Sequence, residues 1–347
     1  MHNNKKIKVL FLVRENQKWG TQSLYDEMEL DDLFLPVVVV APLKQLGRSI
    51  NSDKISEMRE NHDFFRNKKM RVMYGYDVSK ESFIPFDAFE PDIVFYDQPY
   101  GLARCHRVES VSRYALTCYI PYGYGFYLAR ESGQLSPSFL PLIWRVFLED
   151  RVVLSGWDNP LVEQYGNCVH VGYPKVDALR TLSSIHEDGK SSMSTQGDIK
   201  TVIYAPHHSL EPGHHDQYAT FAWSGEKVLE LAERTPQINW VFKPHPRLKY
   251  SLVKAGVMDV EAVGHYYSRW VSLPNSTVVD DGEYIDTFNQ SSAMITDCGS
   301  FLLEYLFTGK PLLHLVNQES RGYSEFGEKL LKGFYRCHNQ DELQKHV

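Results

Sequence analysis

Paired cysteines, basic runs and long apolar runs are all missing from this 347-residue chain. The five cysteines, Cys105, Cys118, Cys168, Cys298 and Cys337, lie far apart with no C-x-x-C pair. That leaves no recognisable structural zinc site or disulfide framework and fits reduced thiols in a cytosol. A formal net charge of −7 with no basic cluster argues against broad nucleic-acid binding, so any phosphate recognition is expected to be local. The longest apolar stretches, Leu35 to Pro42 and Phe139 to Leu148, fall far short of the ~20 residues needed to span a bilayer. Met-His-Asn-Asn-Lys-Lys at the N-terminus runs directly into Ile7 to Val13, without the apolar core and cleavage site of a signal peptide, and a soluble chain is expected. Phe139 to Leu148 reads as a core-packed helix rather than one lying on a membrane, because Arg145 is its single basic residue.

What the chain has is apolar residues, at 43%, and aromatics, at 13%, enough for two cores in a chain of this length. Short apolar strands alternate with helical stretches. In the first half the strands are Lys8 to Val13, Leu35 to Ala41, Arg71 to Tyr74, Asp92 to Asp97, Ala115 to Ile120 and Arg151 to Ser155, with helices at Gln22 to Met28 and Ser52 to Asn67. A Ser-, Gly- and charge-rich stretch, Ser183 to Asp198, precedes a second set. Its strands are Thr201 to Ala205, Asn239 to Lys243, Thr277 to Val279, Ala293 to Thr296 and Pro311 to Leu315, with helices at Gly225 to Arg234 and Phe301 to Phe307. This βα rhythm predicts an α/β protein of two Rossmann-like, doubly wound parallel-sheet domains, residues 1–173 and 174–347, facing a cleft.

Ligands of open α/β sheets gather where strands end, so the residues just after the strands are the site candidates. The strand Ala293 to Ile295 runs into Asp297-Cys298-Gly299-Ser300, which opens a helix. Free N–H groups at such a start, with the Ser300 hydroxyl, suit a phosphate or diphosphate, and Glu304, one turn on, suits the hydroxyls of a ribose. Ala205 is followed by Pro206, His207 and His208, and Phe242 by Lys243-Pro244-His245-Pro246-Arg247. His245 is held between two prolines, while Lys243 and Arg247 add positive charge where a leaving group develops negative charge. His207, His208, His214 and His215, with Glu211 and Asp216 nearby, form no recognisable ligand spacing, so no metal site is expected. In the first half, Arg14 to Gly20 follows the first strand and would line the acceptor side, with Trp19 either stacking on a sugar or polyol or anchoring the loop.

Four ordered motifs resemble those of the CDP-glycerol glycerophosphotransferases, the teichoic acid polymerase-like enzymes. They are Gly172-Tyr-Pro-Lys-Val-Asp177, Tyr204-Ala-Pro206, Lys243-Pro-His-Pro246 and Thr296-Asp-Cys-Gly-Ser300, followed by Phe326-Gly-Glu-Lys-Leu-Leu and Gly333-Phe-Tyr. The resemblance, from about Val152 onward, implies a GT-B architecture, with His245 important for transfer and Asp297 to Ser300 holding the donor's phosphates. The chain departs from the family at Tyr119-Ile-Pro-Tyr-Gly-Tyr-Gly125, where a Trp-His-Gly histidine is expected, which leaves Tyr122, Asp97 or Glu15 to act on the acceptor or implies a different substrate. The Asp-x-Gly-Ser-x-x-x-Glu pattern also resembles the nucleotide turn of UDP-N-acetylglucosamine 2-epimerases.

The resemblance therefore implies a transferase that takes a CDP-polyol or a nucleotide sugar and delivers to a polymer or lipid-linked precursor of teichoic acid or capsule. It would work in the cytoplasm at the inner face of the membrane, as a peripheral contact, with no required cofactor, though a divalent cation is compatible with the diphosphate. The alternatives are a UDP-sugar epimerase using carboxylates among Glu15, Asp97 and Glu149, or a non-catalytic nucleotide-binding partner of a capsule machine. The final Asn339-Gln-Asp-Glu-Leu-Gln-Lys-His reads as a capped helix start with little helix after it, as in a chain cut from a longer parent.

Overall fold

A computed structural model describes residues 5–44, 49–123, 139–148, 166–179, 199–211, 217–280, 284–320, 322–323 and 325–346. The chain forms two compact units, one of Met1–Gly125 with Arg130–Lys175 and one that includes Val176–Val347. The strand expected at Arg151 to Ser155 and the residues Glu149, His214, His215 and Asp216 lie outside the described residues.

The first unit holds one seven-stranded parallel sheet. Its strands are β1 (Ile7–Val13), β2 (Phe34–Val40), β3 (Val72–Tyr74), β4 (Ile93–Tyr96), β5 (Leu116–Tyr119), β6 (Arg145–Leu148) and β7 (Cys168–His170), in the order β3-β2-β1-β4-β5-β6-β7. Apolar runs are continuous here because both faces are covered. Leu10 and Leu12 of β1 pack with Val37 and Val39 on one side, whereas Val9, Phe11 and Val13 pack with Val38 and Val40 on the other. Helices α1 (Gln22–Leu30) and α2 (Ser52–Asn67) close the second face, α2 starting at an Asn51 cap whose side chain accepts the Lys54 N–H.

Phe139–Leu148 does not form the expected helix. Leu140–Leu142 makes a single 3-10 turn with Pro141 inside it, and Arg145–Leu148 is β6, paired in parallel with β5 and β7. A helix offers one apolar stripe to a core, but Val146 and Leu148 pack on one face of the sheet while Phe147 packs on the other. Only a strand between two covered faces satisfies consecutive apolar residues of that kind.

The second unit repeats the plan with six parallel strands: β8 (Lys200–Ala205), β9 (Ile238–Phe242), β10 (Ser276–Val278), β11 (Ala293–Thr296), β12 (Leu312–Leu315) and β13 (Tyr335–Cys337). Their order is β10-β9-β8-β11-β12-β13, so the direction of strand progression reverses between β8 and β11, as it does between β1 and β4 in the first unit. Helices α3 (Phe221–Arg234), α4 (Leu248–Lys254), α5 (Val260–Ser272) and α6 (Ile285–Gln290) precede α7 (Gly299–Leu306), which follows β11. Phe242 and Trp270 stack at 4.9 Å, with Tyr204, Trp240 and Tyr266 around them, to make the buried aromatic centre. The expected strands that fall within the described residues recur to within about a residue at either end, whereas β6, β7 and β13 were not expected. Among the described residues no helix is long and apolar enough to cross a membrane.

Candidate functional site

In doubly wound sheets the crevice beside the reversal point is where ligands bind. In the second unit three turns meet there, following β8, β9 and β11, and side chains and backbone stitch them together. Thr296 donates its hydroxyl to Ala205 O at 2.6 Å and accepts the Cys298 N–H at 2.9 Å. The His245 N–H reaches Pro206 O at 3.1 Å, and the His207 N–H reaches Asp297 Oδ1 at 2.6 Å.

Asp297 is the junction of this arrangement. Its Oδ2 accepts the Thr220 N–H at 2.6 Å and the Thr220 hydroxyl at 2.8 Å, tying the turn to the start of α3. The side chain is buried, which pushes its pKa up to about 6 against the pull of those hydrogen bonds. Asp297 was expected at the donor; in the structure its two oxygens accept protein N–H and O–H groups, and the side chain ties the turns after β8 and β11 to the start of α3. Thr220, at the far end of a 77-residue separation, was not foreseen.

The turn itself keeps the character expected of an anion site. α7 begins at Gly299 after Cys298, and no side chain caps it. The first N–H groups of a helix have no intrahelical partner and carry its positive end. Cys298 is buried and its thiol is pushed up to about 11, so it is no thiolate nucleophile at neutral pH. Ser300 is half-buried, its Oγ lying 3.6 Å from the Cys298 sulfur. Glu304 is on the buried side of α7 and accepts a short hydrogen bond from the Tyr284 hydroxyl. A ribose reaching that carboxylate would share it with Tyr284.

Pro206 is buried, and His207, His208 and His245 converge. Ring centroids lie 4.0 Å apart for His208 and His245, 4.5 Å for His207 and His208, and 5.3 Å for His207 and His245. One ligand-capable atom from each lies within 4.8 Å of the others, a distance at which three imidazoles can hold a transition metal. Both histidine-bearing turns were expected at one cleft; the grouping of the three rings was not, because His245 comes from a different strand end. Parallel pairing of Tyr204 with Phe242 is what brings it there. Lys243 is buried at the end of β9, whereas Arg247 is exposed and its N–H donates to His245 Nδ1 at 3.1 Å.

The first unit has its own polar cluster at the equivalent point. The buried Arg14 guanidinium pairs with Asp97 Oδ1 at 2.9 Å and donates to Gln98 O at 3.0 Å and to Tyr100 O. Asp97 Oδ2 has no hydrogen-bond partner among the described residues, and Asp97 lines a small cavity with Lys18, Trp19 and Tyr122. Burial raises the Asp97 pKa, with Arg14 acting in the opposite sense. Arg14 Nε and Gln98 Nε2 are buried donors without partners among the described residues. Glu15 is ion-paired to Lys18, and Tyr122 accepts the Tyr100 hydroxyl at 3.0 Å beneath the Lys18 ammonium. The Trp19 ring packs edge-on against Phe65 at 5.1 Å and Phe11 at 5.7 Å, and Nε1 donates to Gln22.

Two Rossmann-like units, each with polar turns at the reversal point of its sheet, make a GT-B-like fold. Solved structures with the same fold include UDP-GlcNAc 2-epimerase from Neisseria meningitidis bound to UDP-GlcNAc, at 14% identity and TM-score 0.58, covering 98% of this chain and 88% of that one. The UDP-GlcNAc 2-epimerase of Methanocaldococcus jannaschii is similar at 14% identity and TM-score 0.58, with 98% and 91% covered. The wall teichoic acid polymerase TagF is similar at 12% identity and TM-score 0.51, with 90% and 72% covered. No curated protein matches the chain. The model of the CDP-Glycerol:Poly(glycerophosphate) glycerophosphotransferase family matches residues 157–334, half of the chain, and the chain belongs to that family. It is a glycerophosphotransferase-like transferase, as the ordered motifs implied.

Proposed function

We propose that this protein transfers a polyol phosphate, glycerophosphate first among them, from a CDP-activated donor to a hydroxyl of a teichoic acid or capsule precursor, polymeric or lipid-linked. The observation that carries the reading is the uncapped start of α7 tied through Asp297 to a cluster of three histidines at the reversal point of the second sheet. The N–H groups of Gly299 and Ser300 with the Ser300 hydroxyl would bind the diphosphate, and Glu304 the ribose. His245, with the charges of Lys243 and Arg247, would stabilise the departing nucleotide, and His207 and His208 would complete the donor site. The work would be done at the cytoplasmic face of the membrane.

In the step itself, the acceptor hydroxyl oxygen bonds to the donor's distal phosphorus and the anhydride P–O bond breaks. Its electron pair leaves with the nucleoside monophosphate. The hydroxyl proton passes to a general base; Asp97 of the first unit, whose Oδ2 has no protein partner among the described residues, would suit that role. Tyr122 and Glu15 suit that role less, the one hydrogen-bonded to Tyr100 and the other held by Lys18. Positioning and charge would supply most of the acceleration, since phosphoryl transfer asks little covalent chemistry of a protein, and no metal is required by this scheme.

A thermal-shift panel of CDP-glycerol, CDP-ribitol, CMP, UDP-N-acetylglucosamine and UDP tests the reading, repeated with Ser300→Ala and His245→Ala. A ligand at 100 times its dissociation constant stabilises by about 2.7 kcal/mol. Cytidine-selective stabilisation lost in Ser300→Ala is the expected result. A uridine preference, with turnover of the nucleotide sugar in the absence of acceptor, would replace the transferase reading with an epimerase.

A further inference from the structure

Arg14, just after β1, bonds through one guanidinium to three groups on the turn after β4. Its Nη1 donates to Tyr100 O, and its Nη2 donates both to Asp97 Oδ1 at 2.9 Å and to Gln98 O at 3.0 Å. The residue is 3% exposed, and α2 fixes its backbone: Asn61 Nδ2 donates to Arg14 O at 3.0 Å while Asn61 Oδ1 accepts the Asn16 N–H at 2.8 Å. An arginine that serves an ion pair alone commonly grips both carboxylate oxygens with two nitrogens. Here Nη1 is spent on main chain, so one carboxylate oxygen is tied and the other is not. Lys18 does not close the second oxygen either, because its Nζ goes to Glu15 Oε2 and, at 3.0 Å, to Gln98 Oε1. The rigid plane of the guanidinium sets the directions of its N–H groups, which a flexible lysine ammonium cannot reproduce.

We propose that Arg14 is a positioning residue that clamps the turn after β4 and orients the Asp97 carboxylate, tying Oδ1 to the protein and leaving Oδ2 to meet an acceptor hydroxyl. That Asp97 takes the hydroxyl proton rests on the transfer reading above; the clamp does not. The charged and titratable groups around this carboxylate are Arg14, Lys18, Glu15, Tyr100 and Tyr122. Burial works against its ionised form, and Arg14 leads the groups that favour it. A guanidinium that only braced the fold would leave the rate and its pH dependence unaltered in any variant that still folds.

The test reads the Asp97 carboxyl carbon and the Arg14 Nη–H groups by NMR in the unliganded wild type, isotope-labelled in aspartate and arginine. Asp97→Asn and Arg14→Lys assign the signals. The Arg14 signals are expected to be resolved and to shift through the same pH midpoint as the Asp97 carboxyl, with the carboxylate ionised at pH 7. Arg14 signals that ignore that midpoint, or an Asp97 carboxyl still protonated at pH 7, overturn the proposal with no variant having to be active. Release of CMP from CDP-glycerol, with a short glycerophosphate oligomer as acceptor, reads the consequence. Arg14→Lys keeps the charge and loses the fork, so kcat should fall about 10–100-fold at unchanged KM with the acidic limb of the pH profile in place. Arg14→Met loses the charge at similar length, and the limb should move to higher pH by about 1–3 pH units. Where Asp97→Asn is impaired, a folded Arg14→Lys with wild-type kcat, or an Arg14→Met whose limb stays put, overturns the proposal. If Asp97→Asn transfers like the wild type while the Arg14 and Asp97 signals titrate together, the clamp stands and the reading of Asp97 as the base falls.

Discussion

Removing the Asp297 carboxylate should destabilise the second unit by an amount that depends on pH in a definite direction. In Asp297→Ala the His207 N–H, the Thr220 N–H and the Thr220 hydroxyl lose their acceptor inside the protein. Leaving buried donors unpaired costs about 1–3 kcal/mol each before relaxation, so a net loss of roughly 3–5 kcal/mol is expected near pH 5. The carboxyl's pKa is raised from 3.8 to about 6, so the folded state holds its proton more tightly than the unfolded chain does. Its stabilising share is complete below the unfolded pKa and is lost as pH rises through the folded one. Between pH 5 and pH 8 the wild type should forfeit about 1.4 kcal/mol that the alanine variant never had, so the penalty of the substitution shrinks by that amount on going to pH 8. Urea unfolding followed by the fluorescence of Trp240 and Trp270 at the two pH values measures it. A penalty that is flat or grows with pH, or one below 1 kcal/mol throughout, would refute the assignment of Asp297 as the buried junction.

Asp97→Asn should lower the rate of transfer by about 10²–10⁴ while leaving nucleotide-induced stabilisation unchanged, and should remove an acidic limb from the pH–rate profile. That limb reflects Asp97 in a field set by Arg14, Lys18 and Glu15; unchanged turnover in the variant would exclude it as the base. Trp19→Ala should cost about 3 kcal/mol of stability by vacating the space beside Phe11 and Phe65, with no change in acceptor KM if the ring serves as an anchor. A rise in KM without loss of stability would restore the stacking role. Tyr284→Phe removes the hydroxyl that Glu304 accepts and should cost about 1–3 kcal/mol in chemical denaturation, a loss that added nucleotide should partly recover if a ribose can take the hydroxyl's place.

The strands flanking the second site were legible because Val202 to Ala205, Trp240 to Phe242 and Ala293 to Ile295 are short apolar runs that each end in a polar turn. The reversal point followed from their order. What the sequence concealed is every partner separated by a loop of unknown path: Thr220 for Asp297, Tyr218 and Ala219 for Ser209, Tyr284 for Glu304. Asp297 was read as part of a donor-binding turn from the family resemblance, and nothing local marks a carboxylate whose hydrogen-bond partners are His207 and Thr220. β6 escaped for a different reason. Its four residues sit in an apolar run long enough for a helix, and periodicity cannot separate a buried strand from a buried helix at that length.

The repeated strand order sets a timetable for synthesis. Arg14 emerges 83 residues ahead of Asp97, and His207 emerges 90 residues ahead of Asp297. At roughly 5–20 residues per second the ribosome leaves each early partner without its carboxylate for about 4–18 s. During that interval the nascent strand pairs β1–β2 and β8–β9 exist with an edge still open on the side where β4 or β11 must later insert. Each polar cluster is thus completed by its unit's fourth strand, and the interval before that strand arrives is when a chaperone would have most to protect.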